Sequence, residues 1–440
     1  MKNLQQTDPQ IADLIKEETK RQKDVLEMIP SENYASAAVR EALGSVLTNK
    51  YSEGYANRRY YQGNRIVDEI EKTAVLRAKN LFKVPHANVQ PYSGSPANAA
   101  VYFALLEQRD KLMGLKLSGG GHLTHGVPKL TFSGKYFTSV QYDVEPDGWI
   151  DMDKAADMAK QEKPKLIVVG TTAYPRFLDW KRWRQIADSV EAFMLADISH
   201  VAGLVVGGVY PTPVPYADVV MFTTHKTMRG PRGAVLLVTE KGMKRDPDMG
   251  KKIDRAVFPG LQGGPHDQVT AAIAVCLKEA ATAAFKRYAT QIVTNAKALV
   301  GALKHEGLKI TTDGTDSHLL VIDLQPQKVI GNIVAEALEV ANIVVNFSTV
   351  PHDPNPPYYP SGIRLGTPAI TTRGMKEKEM IKIGGWIVAV IREVSHYRLP
   401  AAKEARAKYV RGVKVELWKN KKLLALGREV KLFSSRFPVP

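Results

Sequence analysis

Four runs of strand length, LIVVG at 166–170, AFMLAD at 192–197, DVVMFT at 218–223 and AVLLVT at 234–239, are almost continuously apolar. A strand with one wet face would alternate polar and apolar residues, so runs like these must be covered on both faces. Stretches of helical period, DWKRWRQIADSV at 179–190 among them, lie between some of the runs. The alternation predicts an α/β fold with a mostly parallel sheet and helices on both sides. Open sheets of this kind bind ligands beyond the carboxyl ends of their strands. The residues that follow these runs are therefore the first candidates for function.

A chain of 440 residues is too long for one compact core. Residues 1–50 read as an N-terminal helical arm, and 51–285 hold the alternating pattern as a large domain. The spacing predicts one long helix over 266–300 leading into a smaller α+β domain, 286–398. That domain carries KITTDG, HLLVIDL and ANIVVNF as strands, with a helix at NIVAEALEVA. Residues 399–440 read as an added basic extension with a strand-like pair around VKVELW.

The formal net charge of +16 raises nucleic acid as a partner. The cations are spread among many acids, and neither zinc-ligand spacing nor an aromatic-and-glycine platform accompanies them, so a solvated surface is the better reading. No apolar stretch reaches the roughly 18 residues of a membrane helix. The N-terminus has no signal-peptide core, and a single cysteine, Cys276, allows no internal disulfide. A cytoplasmic protein is expected.

Asp197 ends one apolar run and Lys226 follows another, which directs both to one crevice. Pyridoxal phosphate needs such a pair, a lysine to attach to and a carboxylate to keep its ring nitrogen protonated. A plain salt bridge would read the same way. Ser93, Gly94 and Ser95, in QPYSGSPANAAVYFALL, open a helix whose N-terminal N–H groups suit a phosphate or merely an ordinary cap. LSGGGHLTHG at 117–126 brings His122 and His125 without a third metal ligand, and one of these rings would also lie well against an aromatic cofactor. NKYSEGYANRRYYQG at 49–63 holds Glu53 beside Arg58 and Arg59, as a proton carrier or a surface ion pair. Arg364, in PSGIRLGTPA, suits two-point recognition of a carboxylate, or a structural role on loop carbonyls.

IPSENY, LTNKYSEGY, RRYYQG, NVQPYSGSPAN, GGHLTHG, THKTMRGPRG, FPGLQGGPH and SGIRLGTPAIT, in that order, resemble the serine hydroxymethyltransferase family over about residues 25–395. The resemblance implies fold type I, a homodimer with shared active sites, and no metal. It implies transfer of the serine hydroxymethyl carbon to a reduced pterin, giving glycine. Lys226 would be the Schiff-base lysine, with His225, Arg232, Glu53 and Tyr61 as further catalytic residues. Asp197 would meet the ring nitrogen, His200 the ring hydroxyl and His122 the ring face, with Thr172 and Thr223 nearby. Ser93, Gly94 and Ser95 would hold the phosphate, joined across the dimer by Tyr51, Gly263 and Gly264. Ser31, Glu53, Tyr61 and Arg364 would bind the amino acid, and Glu53, Leu117, Gly121, Leu123, Ser348 and Tyr358 the pterin.

The chain departs from the family pattern at Tyr92, Pro96, Ser199 (usually alanine), Asn64, Arg65, the stretch Tyr174-Pro175-Arg176, and the pair Phe347-Ser348. Phe347 and Ser348, with Arg65 and Arg176 to meet a longer anionic tail, point to a modified, methanopterin-type carrier as used by archaeal members, in place of plain tetrahydrofolate. A pterin-independent aldolase acting on 3-hydroxy amino acids is the alternative on the same scaffold.

Overall fold

Seven strands form the central sheet, in the order His86–Asn88, Ala234–Val238, Val219–Thr223, Phe193–Asp197, Leu166–Gly170, Lys111–Leu115, Thr138–Tyr142. The computed structural model describes residues 2–440. From Val219–Thr223 to Thr138–Tyr142 every neighbouring pair is parallel. Ala234–Val238 runs antiparallel to both its neighbours. The return at 224–233 is too short for a crossover helix, so the strand can only fold back on Val219–Thr223. That return carries Lys226.

Both faces of the sheet are dry, as the apolar runs require. Ile167, Val169, Val220 and Phe222 enter one core, and Leu166, Val168, Val219 and Met221 the other. Successive residues thus supply opposite layers, the period-two rule applied to a strand buried on both sides.

The second lobe is a four-stranded antiparallel sheet, Lys309–Ile310, Leu319–Asp323, Gly362–Gly366 and Asn346–Ser348, backed by the helices Gly331–Val340 and Glu377–Val394. The arm contributes to this lobe, since Leu26–Glu27 pairs with Ile343–Val344 and Leu26 and Met28 lie in its core.

Two expectations from the sequence are corrected. The helix expected over 266–300 is two helices, Asp267–Ala280 and Ala283–His305, bent by 81°. Thr282 stops the first and caps the second, its hydroxyl accepting from the Phe285 N–H. Among the described residues no single helix is long and apolar enough to cross a membrane, although this bent pair passes by length and composition. The strand pair expected around VKVELW is instead part of the helix Lys403–Leu417, followed by Lys421–Ser434. V-K-V-E-L imitates a two-residue period, but the buried positions are Val410, Val413 and Leu417, spaced as on a helix. Val415, which a strand would bury beside Val413, is 58% exposed.

Candidate active site

Lys226 lies three residues beyond the strand Val219–Thr223, and its Nζ donates to Thr223 Oγ1 at 2.8 Å. Burial pushes its amine down to about 8, against the pull of Asp197, and the positive charges of Arg364 and Arg232 push the same way as burial. The backbone of Lys226 is fixed from the arm, where Asn33 Nδ2 donates to its carbonyl at 2.9 Å.

Asp197 closes the next strand and is buried. Its Oδ2 accepts from His125 Nε2 and from Asn98 Nδ2, each at 3.0 Å. Its Oδ1 accepts from the Ser199 N–H at 3.1 Å and the Ser199 hydroxyl at 2.6 Å. Burial alone would raise this carboxyl, but the donors, His125 foremost, hold it well below the usual carboxylate range. The site therefore pairs an amine that readily loses its proton with a carboxylate that does not gain one.

Gly94 opens the helix Gly94–Leu105, and Ser93 stands at its N-cap without making a capping bond. A Cβ on Gly94 would come within 2.8 Å of Thr223 Cγ2, so only glycine lets this helix end approach the lysine's strand. The end presents free N–H groups and two serine hydroxyls beside the crevice.

His122 is brought near by the glycine-rich loop, its Nδ1 2.8 Å from Thr124 Oγ1. Burial, then His125, lowers it to about 4, which leaves a neutral, flat ring. The metal alternative fails on geometry, because His125 is turned to Asp197. Thr172, two residues past Leu166–Gly170, donates its hydroxyl to the carbonyls of Gly120 and Gly121. His225 is lowered to about 3 by burial and then Lys226, and its buried Nδ1 has no partner. Arg232 is exposed on the same return.

Arg364 reaches in from the strand Gly362–Gly366 of the second lobe. It donates to the Thr172 carbonyl and, at 3.1 Å, to Asn346 Oδ1. Burial lowers it to about 10, so it stays cationic, yet none of the described carboxylates forms an ion pair with it. A half-buried guanidinium without an anion suits an anionic ligand. Ser31 follows Pro30, which packs on Gly366 of the same strand.

Tyr51, Glu53, Tyr61, Gly263 and Gly264 form a separate cluster within the chain. The Tyr51 hydroxyl lies 3.3 Å from Glu53 Oε1, and the Tyr51 and Tyr61 rings meet at 5.0 Å. Cβ atoms on Gly263 and Gly264 would touch Glu53 and Tyr51. The ion-pair alternative for Glu53 does not hold, since Arg59 is turned to Asp68 and Glu71. Tyr51 and Tyr61 are 54% and 46% exposed, and none of the five residues hydrogen-bonds to Lys226, Asp197 or Arg364.

Of the pterin candidates, Leu117 and Leu123 are exposed and Gly121 packs against the Leu115 carbonyl. The Ser348 hydroxyl bonds only the Thr349 carbonyl among the described residues, and the Thr349 hydroxyl in turn ties this strand end to the Ser118 carbonyl. Tyr358 is almost fully exposed. Arg176 is not free to meet an anionic tail as expected, because it is bound to Asp316 and Thr312. Sequence reasoning passed over Asn98, Asn33, Asn346 and His318. Only Asn98 carried a signal, one turn along the helix that Gly94 opens.

A lysine at a sheet's carboxyl edge, an ionised aspartate on the neighbouring strand and a helix N-terminus beside them define a pyridoxal-phosphate-dependent enzyme of fold type I. A family model described as serine hydroxymethyltransferase matches residues 4–387. A serine hydroxymethyltransferase of Acidothermus cellulolyticus is 54% identical over 393 residues, 89% of this chain and 90% of the relative. Those of Sorangium cellulosum and Desulfotalea psychrophila are 53% and 51% identical, over 90% and 89% of this chain and 92% and 90% of theirs. The chain belongs to the serine hydroxymethyltransferase family, whose reaction moves the hydroxymethyl carbon of serine to a reduced pterin and leaves glycine.

Proposed function

We propose that this site carries out that reaction with pyridoxal phosphate attached at Lys226. The observation that carries the reading is a half-buried Lys226 amine, lowered to about 8, beyond the carboxyl end of the strand next to that of the ionised Asp197. When bound, the cofactor supplies an electron sink for charge developing at the amino acid's Cα. Asp197 keeps a proton on the ring nitrogen. Ser93, Gly94 and Ser95 receive the phosphate, which fits the uncapped helix end. His122 would cover one ring face and His200 would meet the ring hydroxyl, with Thr172 and Thr223 nearby. Arg364 and Ser31 orient the carboxylate of serine or glycine. His225 and Arg232 act beside the lysine, the positive charge of Arg232 helping to lower its proton affinity.

Tyr51, Glu53, Tyr61, Gly263 and Gly264 serve the neighbouring subunit's site in a homodimer, for which their exposure in one chain speaks. There Glu53 moves a proton at the serine hydroxyl, and Tyr61 lies beside it. Residues 51–285 act as the cofactor-binding domain and 286–398 as the smaller one; 399–440 packs against the smaller, while the arm 1–50 serves both, Val39 entering the large core and Leu26 and Met28 the small one. The buried single Cys276 accords with a cytoplasmic place.

The carrier is a reduced pterin held by Leu117, Gly121, Leu123, Ser348 and Tyr358. A modified, methanopterin-type carrier is favoured by the exposed Phe347 and the short Ser348 side chain, and the exposed Arg65 is free to meet its tail. The purified protein should show the visible absorption of a lysine-bound cofactor, absent in Lys226→Ala. Serine cleavage should require added pterin; cleavage without it would favour the aldolase. Calorimetry with glycine present decides the carrier, and tight binding of plain tetrahydrofolate would remove the modified one.

A further inference from the structure

His200 and His318 form a buried pair, of which only His200 has a role in the proposed reaction. His200 lies three residues past the end of its strand, and its carbonyl accepts from the Thr227 hydroxyl beside Lys226. His318 immediately precedes the strand Leu319–Asp323 of the second lobe. His200 Nδ1 and His318 Nε2 are 3.3 Å apart, within hydrogen-bonding reach, and the rings stack at 5.5 Å. Both side chains are almost wholly buried. Burial first, then the cations Lys226 and Arg364, keeps both rings neutral, His318 near 3 and His200 well below its ordinary value.

Two neutral imidazoles facing each other share one hydrogen, and only two arrangements are open. If His200 Nδ1–H donates, His318 must carry its own proton on Nδ1. That nitrogen is buried and has no partner among the described residues. A buried N–H without an acceptor is rare in folded proteins, whereas an unfilled acceptor is better tolerated. If His318 Nε2–H donates, its Nδ1 is a bare nitrogen, and the single proton of His200 moves to Nε2. The bond made by one ring nitrogen thus fixes what the other presents.

We infer that His318 is a positioning residue that sets the tautomer of His200, so that His200 offers an Nε2–H donor to the ring oxygen of the cofactor. This rests on the proposed role of His200 at that oxygen. It also couples the lobes, because the second lobe supplies the group that orients a side chain of the first.

The test is nitrogen NMR of the full-length protein labelled with 15N at histidine, in which protonated and bare ring nitrogens resonate far apart. Wild type should show His200 with a bare Nδ1 and a protonated Nε2. His318→Gln, whose amide can still donate, should keep that pattern, and His318→Leu should lose it. After the bound cofactor is stripped, pyridoxal phosphate should rebind more tightly than its 3-deoxy analogue. That preference should shrink about three- to tenfold in His318→Leu and be largely restored in His318→Gln. A protonated Nδ1 on wild-type His200 overturns the inference without any variant. Equal weakening of both ligands in His318→Leu also overturns it, since that is a packing effect. A wild type that shows the expected tautomer but no preference between the ligands would leave His318's action standing and remove the role given to His200.

Discussion

Asp197 accepts four hydrogen bonds from protein donors before any ligand is considered. Such a carboxylate is fixed in place and cannot easily be protonated, which a partner for a protonated ring nitrogen requires. Asp197→Asn is expected to lower kcat on the order of 10²–10³-fold with the fold intact, checked by steady-state kinetics beside circular dichroism. Lys226 gives a prediction with a definite sign. Its folded pKa near 8 lies below its ordinary 10.5. Between those values the unfolded chain binds more protons, so stability rises with pH through this window. Below it the charged amine burdens the cofactor-free fold, by at most roughly 3 kcal/mol. Lys226→Met should therefore stabilise the cofactor-free protein at pH 7 and do so much less at pH 10.5, read from urea midpoints at both. An equal gain at both would mean that Lys226 is not desolvated. Lys226 and Asp197 were legible in the sequence because each follows an unmistakable buried strand. Asn98 offered only its place one turn along the helix and His318 no signal, because partners 99 and 118 residues away give them their roles.

The same contrast holds for whole elements. The four long apolar runs were read correctly as strands, since a strand buried on both faces leaves no polar alternative. The C-terminal helices were misread because five residues of alternation outweighed a helical stripe running from Val410 to Leu417. The two readings bury different side chains. Leu417→Ala is expected to cost about 2–5 kcal/mol and Val415→Lys less than about 0.5, measured by chemical denaturation. A strand would make both costly. The helix at Gly94 offers a sharper case, where an added methyl meets Thr223 at 2.8 Å. Gly94→Ala must force helix and strand apart, with an expected loss of about 1–3 kcal/mol and weaker binding of pyridoxal phosphate. Loss of stability with unchanged cofactor affinity would separate this helix end from the phosphate.

At the scale of the whole molecule, the candidate residues of one chain fall into two groups. Lys226, Asp197 and Arg364 share one crevice, while Tyr51, Glu53 and Tyr61 stand in an exposed cluster without a hydrogen bond to them. The sequence placed both groups in order along the chain, but order says nothing about which copy of the chain a residue serves. A two-fold dimer makes the alternatives distinguishable, because each subunit gives the other what it receives. Lys226→Ala and Glu53→Gln should each be inactive in pterin-dependent serine cleavage. Unfolded together and refolded as a mixture, half the dimers would carry one chain of each kind. If the site is shared, both lesions in such a dimer fall in one site and the other is intact. The mixture should then recover about a quarter of wild-type activity. If Glu53 acts within its own chain, every site keeps one lesion and the mixture stays inactive.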